Sequence, residues 1–139
     1  MSAASNFTEN LALKFLLTAD TATRPTTWFV ALFNNTSGNA AANLEAGTLT
    51  DEVSTSGTAY ARQSVAFTVT GDQAASSATV TFPTATGSGF GTVTHLAIMS
   101  SDVEGAGTVY FYGALTASKT VSASDTFQIT SGSLTVTLA

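Results

Sequence analysis

Threonine alternates with large apolar residues in run after run of this chain: Thr68-Val69-Thr70, Thr79-Val80-Thr81-Phe82, Thr92-Val93-Thr94 and Thr135-Val136-Thr137. Successive side chains on a strand point to opposite faces, so such alternation is how half-buried β-strands are written. Threonine suits them because its β-branch fits a pleated surface while its hydroxyl can face water. Twenty-six of the 139 residues are Thr, and only thirteen carry a full charge. The chain has one histidine, His95, and no cysteine. These residues offer little for acid–base or nucleophilic chemistry at neutral pH, which argues for a rigid binding or structural body rather than an enzyme.

A chain of this length is expected to form a single domain over residues 1–139 and to bury about two thirds of its unfolded surface, so it needs no metal or disulfide to fold. The net charge is −5, and Lys14, Arg24, Arg62 and Lys119 are the only cations. Four scattered cations neutralise few phosphates, so neither nucleic acid nor an anionic membrane is an expected partner. Charged residues make up 9% of the chain, against about 25% in an average domain. Either Ser and Thr replace charges on a solvated surface, or much of the surface packs against other subunits, where charges are depleted. No stretch is long and apolar enough for a transmembrane helix. The start, Met1 to Asn6, lacks a basic signal-peptide region, so synthesis in a cytoplasm without a secretion address is expected.

The spacing predicts one helix, over about residues 6–18, with Asn6 as its cap and Glu9 three residues on. Phe7, Leu11 and Phe15 recur every four residues, and Leu13, Leu16 and Leu17 widen the apolar face. A helix this apolar must be covered, either by the open end of a sandwich or by a partner. After Pro25 the period changes to 2. Thr27 to Phe33 reads as a central strand, apolar on both faces. Asn34 to Asn43 reads as a loop. Further strands are expected at Ser64–Thr70, Ala78–Phe82, Thr92–Met99, Thr108–Leu115, Thr126–Ile129 and Leu134–Leu138. About seven or eight strands with regular turn signals and no crossover helices predict an all-β antiparallel sandwich or jelly roll over about residues 26–139, behind the N-terminal helix.

No Gly-x-Ser-x-Gly elbow accompanies His95, which lies in an alternating strand and reads as structural. Asp102 and Glu104 are two carboxylates in a polar turn, too few for a tight cation site. No metal, cofactor or catalytic residue is expected. Gly87-Ser88-Gly89-Phe90-Gly91 precedes a strand rather than a helix, so it reads as a tight turn and not a phosphate cradle. Arg62 stands beside an apolar strand, where a lone cation is costly unless paired. Its expected partner is Asp51 or Glu52, in an ion pair that ties down residues 48–58.

Four stretches carry a resemblance: DEVSTSGTAYARQSVAF (Asp51–Phe67), TFPTATGSGFGTVTHLAIM (Thr81–Met99), VYFYGALTASKTV (Val109–Val121) and SGSLTVTL (Ser131–Leu138). Together, and in this order, they resemble a family of small tailed-bacteriophage virion proteins, often labelled tail-fibre-like. The one departure is Phe90, where the family pattern has tryptophan. Some members look like jelly-roll decoration (cement) proteins. The resemblance thus implies a virion protein on the capsid exterior that binds the major capsid protein and itself, as a dimer or, as the alternative, a trimer. The alternative is a tail-associated module recognising a host-surface glycan or protein, for which Tyr110, Tyr112 and Asp102 could supply a platform. Contacts are expected at the ends of the sandwich: Phe7 and Leu11 on the helix, Asn35 and Asn39 in the long loop, and Phe90 as an exposed aromatic anchor.

Overall fold

The change of period at Pro25 divides a helical N-terminus from a β body. A computed structural model describes residues 3–138. In chain order the elements are β1 (Ala3–Ala4), α1 (Asn6–Leu17), β2 (Trp28–Phe33), α2 (Ala40–Glu45), β3 (Gln63–Val65), β4 (Phe67–Thr70), β5 (Gln73–Ser76), β6 (Val80–Thr81), β7 (Gly91–Met99), β8 (Val109–Val121), β9 (Gln128–Ile129) and β10 (Thr135–Thr137). The body is all-β and antiparallel. A five-stranded sheet has the order β1-β8-β7-β2-β3, a three-stranded sheet β10-β5-β4, and a two-stranded ribbon β6-β9.

β2 is central, as its two apolar faces imply. Val30 pairs with Ile98 on β7 and with Gln63 on β3, and Val30 to Phe33 are all buried. Val30 and Leu32 enter one cluster with Tyr60, Phe82, Phe90 and Leu96. Ala31 and Phe33 enter a second with Leu44, Ala97, Met99 and Val109. Burying each large side chain of β2 contributes about 2 kcal/mol.

Three local readings are corrected. The Asn34–Asn43 segment is not all loop, because it runs into α2, where consecutive alanines favour a helix and Ala40 and Leu44, four apart, bury on the five-stranded sheet. The Ser64–Thr70 strand divides at Ala66. Val65 pairs with Trp28 in the larger sheet while Phe67 pairs with Ser76 in the smaller. The Ala66 carbonyl meanwhile accepts from Ser77 N–H at 2.9 Å, which carries the chain from one sheet to the other. Finally, β1, β5 and this division give ten short strands among the described residues rather than seven or eight.

Candidate functional site

The first turn of α1 is clamped to β8. Ser5, fully buried, donates its hydroxyl to Val109 O at 2.5 Å and accepts from Thr8 N–H at 3.3 Å, so Ser5 and not Asn6 is the cap. Its buried oxygen both ends the helix and binds the sheet, which an exposed Asn6 cannot do. Thr8 Oγ1 donates to Tyr110 O at 2.7 Å. The Phe7 ring meets Tyr110 edge-on at 5.2 Å, and Tyr110 meets Trp28 at 4.7 Å.

Beyond this turn the helix stands clear of the body, and none of its twelve residues is buried. Leu13, Phe15, Leu16 and Leu17 are 59%, 57%, 73% and 76% exposed. The helix therefore does not close the open end of the sandwich. From Leu11 to Leu17 only Lys14 is polar, so the two last turns are apolar on nearly every side.

A second apolar feature opens beside its base. The larger sheet and the three-stranded sheet part there to leave a cleft of about 320 Å³, lined by Trp28, Phe67, Ile98, Phe111 and Val136 with Asp72 among its lining residues. Val69 and Leu138, also in its lining, are 70% and 65% exposed. Trp28 belongs both to the aromatic chain under α1 and to the cleft, so the two features are continuous.

Arg62 pairs with Glu52 and not with Asp51. Its Nε and Nη2 donate to the two carboxylate oxygens at 2.7 Å each, and Nη1 donates to Ser101 O and Ala106 O at 2.7 and 2.8 Å. Glu52 also accepts from Gly105 N–H and from Tyr60 Oη, which itself accepts from Leu32 N–H. Burial, then the Glu52 charge, pushes the Tyr60 hydroxyl far above the usual phenol range. Asp51 instead holds the start of the long loop, accepting from Thr36, from the Ser37 hydroxyl and N–H, and from Asn43. Burial pushes its carboxyl up, but these donors together outweigh burial and hold it below the usual carboxylate value.

The residues expected to make contacts do not form one surface. Phe7 is 45% exposed and Leu11 half-buried at the helix base. Asn35 and Asn39 are exposed, and Asn35 Oδ1 accepts from Ala40 N–H, starting α2. Phe90 is not an exposed anchor: it is 2% exposed and packs edge-on against Tyr60 at 5.7 Å. The turn before it is held tight because a Cβ on Gly87 or Gly89 would strike the carbonyl oxygen of Gly57 or Val121. No aromatic platform faces solvent at the tyrosines, for Tyr110 is buried and Tyr112 packs on the second cluster.

His95 Nδ1 shares a 2.8 Å hydrogen bond with Thr94 Oγ1. Burial lowers its pKa, against the opposing pull of Asp51. Glu104 accepts from Thr55 N–H at 3.0 Å, and among the described residues no three His, Cys, Asp or Glu converge as metal ligands. No described helix is long and apolar enough to cross a membrane.

The cleft escapes a reading of the sequence because its lining comes from six separate strands and no periodicity joins them. The uncovered leucines at positions 13, 16 and 17 were the visible half of the signal. A search of curated proteins finds no match. A family model described as podophage GP4 fiber I protein gp80 matches residues 3–137, nearly the whole chain. With its β body, clamped apolar helix and stretches of phage-virion type, the chain belongs to the podophage GP4 fiber I protein (gp80) family.

Proposed function

We propose that the chain is a structural, non-catalytic subunit of the fibre apparatus of a tailed phage, held in place by apolar contacts with other virion subunits. The observation that carries this is α1. An isolated helix of about a dozen residues is marginal in water, yet this one presents Phe15, Leu16 and Leu17 to solvent. Such a helix is completed by assembly. The body behind it is stiffened by a buried ion pair and two packed clusters, which suits a part that transmits load rather than one that turns over substrate. The fibre description of the family supports a tail location over the capsid exterior. It also favours a tail-associated subunit over a cement protein bound to the major capsid protein.

Copy number tests the choice. Quantitative densitometry of purified virions, with antibody labelling in the electron microscope, should find a few to a few dozen copies, on the tail. Hundreds of copies spread over the head would replace this reading with capsid decoration.

A further inference from the structure

We propose that α1 of one chain lies in the apolar cleft of a neighbouring copy, so that the helices join identical chains into a small closed oligomer. This rests on the structural-subunit reading above and names the partner of its uncovered helix. Three observations point to a second copy.

The first is area. Phe7, Leu13, Phe15, Leu16 and Leu17 are between 45% and 76% exposed. Together they leave on the order of 500 Å² of apolar surface bare, at the upper end of what a monomer shows and a large part of the ~800 Å² per partner of a standard interface. The cleft, with Val69 and Leu138 on its rim, adds the remainder on the accepting side.

The second is charge. Lys14 is the one cation of α1 and sits amid its apolar residues, and Asp72 is the one ionisable residue of the cleft lining. Neither has an ion-pair partner among the described residues, where the single pair is Arg62–Glu52. A helix seated in the cleft brings these opposite charges to one interface, where a mismatched charge is costly.

The third is continuity. The aromatic chain Phe7–Tyr110–Trp28 runs from the helix base into the cleft lining, so donor and acceptor lie side by side on one chain. A helix seated in a neighbour's cleft is a heterologous contact, or a reciprocal exchange in a two-fold dimer, and it forms a closed oligomer when the rotation between copies closes.

The natural absence of cysteine makes the test clean. Two single variants, Leu16→Cys and Ala74→Cys, are purified, mixed and oxidised, and mass is followed by light scattering. Neither site contributes to the buried core. The expected results are an oligomeric wild type, a disulfide-linked pair that forms in the mixture, and a dissociation constant raised about tenfold or more in Leu16→Glu with an unchanged circular dichroism spectrum. Lys14→Asp should also weaken assembly, and Lys14→Asp with Asp72→Lys should restore it. A monomeric wild type, or a crosslink that closes within one chain when both cysteines are placed in it, would overturn the proposal. Either result would leave the copy-number test of the fibre reading untouched.

Discussion

Arg62 and Glu52 meet as a buried bidentate pair, with side chains 0% and 2% exposed. The guanidinium's third nitrogen, Nη1, donates to two carbonyls of the turn over residues 100–107, so one side chain holds three segments together. Removing one partner strands a buried charge, which costs about 3–5 kcal/mol. Arg62→Ala should therefore lower the melting temperature by roughly 10 °C, by calorimetry. Replacing both residues by methionine strands no charge and should recover more than half of that loss. A melting temperature unchanged in Arg62→Ala would show that the pair contributes nothing.

Two groups set the pH dependence below neutrality. The Asp51 carboxyl is held below its unfolded value of 3.8. It binds fewer protons folded than unfolded, so its stabilisation is complete above that value and is lost as pH falls below it. The His95 pKa is lowered from 6.5 by burial, so the unfolded chain also takes up the extra proton here. Stability should be flat between about pH 7 and 9, decline gently just below 6.5, and fall again in the region below about 4. Urea midpoints across this range should show both steps. His95→Gln should remove the first and Asp51→Asn should flatten the second.

Much of this was legible in residues with a strong local signature. The period of 2 marked β2, β7 and β8, and β2 read as central because Trp28 to Phe33 is apolar on both faces. Arg62 announced a partner because a lone cation beside an apolar strand is costly unless paired. What the sequence hid was set by contacts distant along the chain. Ser5 won the cap from Asn6 because Val109, over a hundred positions away, accepts its hydroxyl. Phe90 turned inward because Tyr60 and Val121 lie behind its turn. Asp51 is taken up by Thr36, Ser37 and Asn43, which leaves its neighbour Glu52 to meet Arg62. The long Asn-rich segment masked α2, whose alanines become a helix because the sheet beneath accepts Leu44.

Two glycines of positive φ, Gly89 before β7 and Gly38 before α2, should differ sharply in their tolerance. Gly89 has φ +73°, and a Cβ there would meet the Val121 carbonyl and Ser122 Cα, both backbone. Gly38 has a similar φ, +78°, but open space around it. Gly38→Ala should cost about 1 kcal/mol, the conformational term alone. Gly89→Ala adds a collision that moves Phe90 and the end of β8, and should cost roughly 2–4 kcal/mol. Equal losses for the two variants in chemical denaturation would remove the role assigned to close approach at Gly89.

Ser5 ties α1 to the body, and its loss should act locally. Ser5→Ala removes the cap to Thr8 and leaves the Val109 carbonyl without this donor, a cost of about 1–2 kcal/mol borne by the helix. Strands β2 and β7 share none of these bonds. Hydrogen exchange in a monomeric Leu16→Glu background, where no neighbouring cleft protects the helix, isolates the effect. Amides from Thr8 to Leu17 should exchange about tenfold faster in the Ser5→Ala variant, while those of β2 and β7 keep their protection. Uniform acceleration across helix and sheet would mean that the cap serves the whole fold, and unchanged helix exchange would mean that Phe7 and Thr8 hold α1 without it.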